Sequence, residues 1–397
     1  MNKYSNILIN KDLISQAIMA KKITRPASLV KQGTLTLYTT SLKVSDLLIQ
    51  NFYNIERLDP ENASEKGYQR LLNKSRAKKL ADYIVAGQEK RDAFLPTSIF
   101  MATDKNIPFN PSNNTIEIDI NEVGPFNVVD GQHRVEGLKM AAEKDPRVLE
   151  FEVPVNIAIN LPEITQMCHF LIVNTTQKSV DEGLAQKIRA RLTKSLGIDD
   201  IPNLPKWIYN LVQKGDDEKA LQYIDFLNMD KESPWLNKIR MANDDNSEGS
   251  INQKSFVKAI KKYVLVANNP IINTEAEDRQ HRIFLNYWKA ITNIIGTDEP
   301  TVLFKYNGVE LFCKFCVPFF SKMVNMPDYK VSTMQTLLEH VFDNVEGDAA
   351  GVGHTEFWVK GGTASGLNTT ALHKINTEMV KALHKSSDIQ KEKEMAV

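Results

Sequence analysis

Apolar and polar positions alternate over residues 34–39 (TLTLYT) and 115–120 (TIEIDI), the period of half-buried strands. SLKVSDLLIQNF, directly after the first, carries helical spacing instead. The clearest helical stretch is 67–88, GYQRLLNKSRAKKLADYIVAGQ. Leu71, Leu72, Ala77, Leu80, Ala81, Ile84 and Val85 supply one face there, and Gly87 supplies a stop signal. Pro96 introduces a short strand in TSIFMA. FNVVD at 126–130 reads as a strand that gives way to a helix with Val135, Leu138 and Ala142 on its buried side. FEVPVNIAINL is a further strand and EITQMCHFLIVN a further helix. TTQKSVDEGLAQKIRARLTKSLG continues with helical periodicity beyond a cap at Ser179. Strand, helix, strand, helix in that order predicts a mixed α/β core. Helical stretches dominate afterwards. The expected organisation is an α/β domain over residues 1–190 and a mainly α-helical domain over 191–397, with a polar loop near 243–253.

Composition excludes little. The chain has 397 residues, 42% hydrophobic and 25% charged, and 49 basic residues match 49 acidic ones. That balance argues against a histone-like basic sheath but permits a local basic groove. Three cysteines give no secreted disulfide framework. Cys168 reads as core. Cys313 and Cys316 have CxxC spacing without a second pair, and aromatic neighbours make buried thiols the leading reading. The N-terminal segment has no long apolar run and no stretch reaches membrane-span length, so a cytoplasmic protein without membrane contact is expected.

The chemistry concentrates in FNVVDGQHRVEGLKMA, where Asp130, Gly131, Gln132, His133 and Arg134 stand side by side at a strand–helix junction. Gly131 permits positive φ or close approach. Asp130 can cap the first amides of the helix, or turn aside and coordinate a cation. Those amides can instead hold an anion, with Arg134 closing a bidentate grip on phosphate. His133 can bond phosphate, orient water or move a proton, and Gln132 adds a neutral donor and acceptor. Asp130 and His133 are therefore the candidate catalytic pair, with Asp130 also the candidate metal ligand.

Gln69 and Arg70 add a second amide and guanidinium. Lys74, Arg76, Lys78 and Lys79 make one side of the following helix basic, suited to a nucleotide or DNA backbone or simply to water. In NTTQK, Asn174 suits a metal or ribose, Thr175 and Thr176 suit phosphate, Gln177 suits a base edge and Lys178 neutralises charge. Helix capping is the plainer account of that polar turn. GGTASGLNTTALHKI at 361–375 is a weaker phosphate-cradle candidate. No GxxxxGK[ST] loop occurs, so a P-loop enzyme is excluded. Arg189 and Arg191 read as facing solvent or nucleic acid.

The string DGQHR at 130–134 resembles the signature of the DGQHR-domain family, which includes DndB-like DNA sulfur modification proteins and ParB/sulfiredoxin-like relatives. YQR at 68–70 followed by RAKKLADYI, and NTTQKSV at 174–180, resemble flanking segments of that family. The likeness covers roughly residues 30–190. It implies a ParB/sulfiredoxin-like core with a nucleotide-phosphate site at the helix mouth, ligated by Gln69, Arg70, Gly131, Gln132, Arg134, Asn174, Thr175 and Lys178. ParB proteins carry a Gly-Glu-Arg-Arg pattern in this place. Here Gly131, Gln132, His133 and Arg134 stand there, and the acid sits one step earlier as Asp130. The functional expectation is a DNA-binding regulator of DNA modification. Two readings stay open beside it: an ATPase using ATP and Mg²⁺ with a DNA-modification enzyme, and a non-catalytic adaptor in a defence complex.

Overall fold

The alternating segments of the first half pair into one mixed sheet. The computed structural model describes residues 22–59, 67–177, 181–194, 204–244, 249–297 and 300–395, with the main chain alone at 175–177 and 386–395. Strands β1 (Lys22–Gln32), β2 (Leu35–Lys43), β3 (Tyr53–Asn54), β4 (Ile99–Ala102), β5 (Phe109–Asn110), β6 (Thr115–Asp119), β7 (Phe126–Asp130) and β8 (Glu152–Ile159) lie in the order β3-β7-β4-β8-β2-β1-β6-β5. β3 runs parallel to β7 and β4 parallel to β8, whereas the other neighbours are antiparallel. The mixed α/β class read from the sequence is the one observed.

The described residues fall into two compact units, 22–177 with 204–209, and 181–194 with 210–395. In the first, helices α1 (Lys74–Lys90) and α2 (Gln132–Lys144) pack on the sheet. Ala81 and Ile84 of α1 and Val135, Leu138 and Ala141 of α2 share one buried cluster with Ile99, Met101, Val128, Val155 and Ile157 of the strands. Each such side chain removed from water stabilises the fold by about 1.5–3 kcal/mol for the larger residues. Gly137 lets the helices meet closely, because a Cβ there would stand 3.0 Å from the Ala77 carbonyl oxygen and 2.9 Å from Leu80 Cδ2.

Three sequence expectations are corrected here. SLKVSDLLIQNF is helical only at Val44–Leu47, because β2 continues to Lys43 in register with Glu152 of β8. The helix expected from residue 67 begins at Lys74, where Asn73 caps it by accepting from the Arg76 N–H at 2.9 Å. Residues 67–70 instead lie outside any helix, with Gln69 bridged to Arg57. Gly87 does not stop the helix, which ends three residues later against a left-handed Arg91 (φ 55°).

In the second unit, α4 (Glu182–Lys194), α5 (Asp216–Met229), α6 (Gln253–Tyr263), α7 (Glu277–Ile295), α8 (Tyr306–Met323), α9 (Val331–Asp343) and α10 (Thr369–Met395) surround an aromatic core. Trp235 and Trp288 meet edge to face at 4.9 Å, and Phe304 and Phe312 pack around them. Cys313 and Cys316 lie buried in α8 as free thiols, and Cys168 is free and buried in the first unit. Burial pushes all three thiols upward, which suits core and not redox chemistry. Arg189 does not face solvent: it is buried and bonded to Asp217 and Glu182. The polar loop near 243–253 is shorter than expected, since Ile251–Asn252 pairs with Ile239–Arg240 and α6 starts at Gln253.

Candidate functional site

β7 and α2 meet at an irregularity. Opposite the Phe100–Met101 step of β4, β7 advances from Asp130 to Val128, so Val129 is an extra residue. Gly131 then takes φ 106° and becomes the N-cap of α2, with no side chain capping that helix end. Asp130 is thereby turned away from the first amides of α2. Its Oδ2 instead accepts from Arg134 Nη2 at 2.6 Å, four residues along. Asp130 therefore does not cap the helix; the Arg134 N–H donates to the Gly131 carbonyl at 2.8 Å, which leaves the N–H groups of Gln132 and His133 at the mouth.

Other elements close around this mouth. The Gln69 amide donates to the carbonyl oxygens of Val128 and Val129, holding the irregular end of β7. Asn73 donates its main-chain N–H to His133 Nε2 at 3.1 Å. From α3 (Glu163–Gln177), Gln166 accepts from Tyr68 Oη at 3.2 Å and from Asn127 Nδ2 at 2.9 Å. These bonds pin the 67–70 segment between α3 and β7. The result is a cavity of about 260 Å³ whose walls include Arg70, Arg76, Gln132, Arg134, Phe170 and Asn174.

Its electrostatics are cationic. Among the described residues, Arg70 and Arg76 have no carboxylate within ion-pair distance, and Arg70 is half-buried. Burial and the neighbouring Arg76 push the Arg70 guanidinium below its ordinary value, with Asp130 opposing. His133 is lowered to about 4 by burial and then by Arg70, Arg76 and Arg134, again against Asp130, so the ring is neutral at pH 7. Gln132 is only 3% exposed, yet neither Nε2 nor Oε1 has a partner, and Arg134 Nε is also buried and unpartnered. Unsatisfied buried polar atoms of this kind cost stability unless something binds them.

Of the expected site residues, Gln69, Arg70, Asp130, Gly131, Gln132, His133, Arg134 and Asn174 line one cavity. Gln69 enters it with its amide donating to main chain. Asn174 donates Nδ2 to the Phe170 carbonyl at 2.8 Å. The Thr175 side chain and all of Lys178 lie outside the described residues, as does Ser179. Lys74, Lys78 and Lys79 are exposed on α1. The 361–375 segment bonds to itself, Ser365 Oγ accepting from the Gly361 N–H at 2.9 Å. Sequence reasoning missed the parts of Asn73 and Phe170, and it placed Arg76 on the basic side of the helix without assigning it to the pocket; an Asn just ahead of a basic helical run was the available cap signal for the first. Among the described residues, no three His, Cys, Asp or Glu side chains cluster as a metal site would. Asp130, already paired with Arg134, does not by itself fit a protein-held Mg²⁺ ion.

Fold and site together define a mixed α/β protein with an arginine-lined, anion-compatible pocket at a strand–helix junction. Residues 25–299 match the family model of DndB, DNA-sulfur modification-associated proteins. The chain belongs to that family. No curated protein and no solved structure matches it. No described helix is long and apolar enough to cross a membrane.

Proposed function

We propose that this DNA-sulfur modification-associated protein is a DNA-binding regulator of the modification apparatus, with a pocket for the phosphate of a nucleotide or nucleic acid. The observation that supports this reading is the continuity of positive charge. Arg70 and Arg76 stand in the cavity without carboxylate partners, and α1, which carries Arg76, also exposes Lys74, Lys78 and Lys79. The N–H groups of Gln132 and His133 at the α2 mouth add neutral donors suited to an anion. His133, neutral and held by Asn73, acts as an acceptor that fixes the α1 entry, not as a proton carrier in the free protein.

The test is binding of promoter duplex from the modification genes, followed by fluorescence anisotropy at several salt concentrations. The expected result is steeply salt-dependent binding, with a shallower slope by about one for each phosphate-contacting lysine removed. A Lys74→Gln/Lys78→Gln/Lys79→Gln protein that binds duplex as the parent does would refute this surface. Phosphate release from ATP with Mg²⁺, measured on the same preparation, separates this reading from an ATPase.

A further inference from the structure

The charge balance of the pocket narrows the phosphate reading, on which this inference rests, to one class of ligand. Three guanidiniums, Arg70, Arg76 and Arg134, face the cavity against the single carboxylate of Asp130, and His133 stays neutral. Two positive charges are left uncompensated. A phosphodiester brings one negative charge, whereas a phosphate monoester brings about 1.5–2 at neutral pH. The cavity of about 260 Å³ lies below the roughly 300–1,000 Å³ of pockets that enclose drug-sized ligands. It suits a phosphate with its first sugar better than a nucleoside triphosphate.

Gln132 supplies the independent observation. Its buried amide presents an unpartnered Nε2 donor to the ligand. The Nε2 group can donate to a phosphate oxygen.

We infer that the cavity binds a terminal phosphate monoester as its dianion, with Gln132 Nε2 donating to a phosphate oxygen, and discriminates against internal phosphodiesters. Such a group occurs on a 5′-phosphorylated DNA end and on a free mononucleotide.

Calorimetric titration of the full chain with methyl phosphate and with dimethyl phosphate compares the two classes at matched size. The expected result is at least tenfold tighter binding of methyl phosphate, lost by about tenfold in Gln132→Leu while that variant melts no lower than the parent. Equal affinity for the two esters overturns this inference and leaves a general phosphate pocket standing. Binding of neither ester, nor of inorganic phosphate, overturns the pocket reading itself. If Gln132→Leu fails to fold, Gln132→Glu, which places a carboxylate against the phosphate, is the second variant, and unchanged methyl phosphate binding there refutes the role of Gln132. Titrations with dAMP and with 5′-phosphorylated and 5′-hydroxyl oligonucleotides then assign the source: a preference for either phosphorylated ligand upholds the inference, and equal binding of the two oligonucleotides opposes it.

Discussion

The main-chain N–H of Asn73 donates to Nε2 of His133 across 3.1 Å, joining the start of one helix to the first turn of another. Protonating Nε2 turns this acceptor into a donor and sets two donors against each other. Folding holds the ring at about 4 against an ordinary 6.5, by burial first and then by Arg70, Arg76 and Arg134. Between those values the unfolded chain binds more protons than the folded one, so stability rises with pH there. This contribution is complete above about pH 6.5 and is lost as pH falls through about 4. Urea midpoints of the parent and of His133→Gln, measured from pH 7.5 to 4, should converge toward the acid end. Parallel curves over that range would mean that His133 titrates freely in the folded protein.

Gly131 carries the turn from β7 into α2 at φ 106°, where an L side chain is strained. A Cβ would also lie 3.1 Å from both Arg134 Nε and Nη2, and 3.3 Å from Ile99 Cγ2. The Arg134 head can move, but only by giving up Asp130. Gly131→Ala should therefore cost about 1–3 kcal/mol of stability and weaken phosphate binding more than the stability loss explains. Chemical denaturation combined with methyl phosphate titration checks both. A variant matching the parent in each would show that the turn relaxes without consequence.

The strand–helix junction was legible because FNVVD and VEGLKMA carry local signals on either side of Gly131. Most of the cavity's polar lining was legible as well, since Asp130 to Arg134 are contiguous. What local periodicity missed is tertiary. Leu71 and Leu72 fit a helical pattern, yet they lie outside the helix, after a Gln69 whose amide bonds to Val128 and Val129 about sixty residues away. Arg189 looked like a surface charge, because nothing near it in sequence reveals that Asp217 lies 2.6 Å from its Nε. Phe170 gave only a core signal, and its place in the cavity wall depends on α3 meeting the 67–70 segment through Tyr68.

The α1–α2 contact sets the distance between Arg76 and the 130–134 turn, and Gly137 sets the α1–α2 contact. A larger side chain at this position gains helix propensity of up to about 1 kcal/mol over glycine. It also collides with the Ala77 carbonyl, which cannot rotate away. Overpacking of this kind costs about 1–3 kcal/mol. Gly137→Leu should thus be less stable than the parent, and the separated helices should loosen the Asn73–His133 bond. Exchange of the Asn73 amide proton, followed by NMR in parent and variant, reports that bond directly. Unchanged protection together with unchanged stability would place the two helices further apart than described.

Arg189, Asp217 and Lys261 form a buried charge cluster in the helical unit. Asp217 is 2% exposed and accepts from Arg189 Nε at 2.6 Å and from Lys261 Nζ at 2.7 Å. Taking one partner out of such a cluster leaves the other charges desolvated without compensation, a loss of about 3–5 kcal/mol. Asp217→Asn keeps the shape and one acceptor oxygen, so the lower end of that range is expected. Arg189→Leu should cost a similar amount, because Asp217 then retains only Lys261. The double replacement Arg189→Leu/Asp217→Leu removes the buried pair as a whole, and the partly exposed Lys261 can turn to water. Its loss should fall clearly short of the two single losses added together, by about 0.5–3 kcal/mol. Additive losses in urea denaturation would mean that the two side chains contribute independently and that the ion pair holds nothing in this unit.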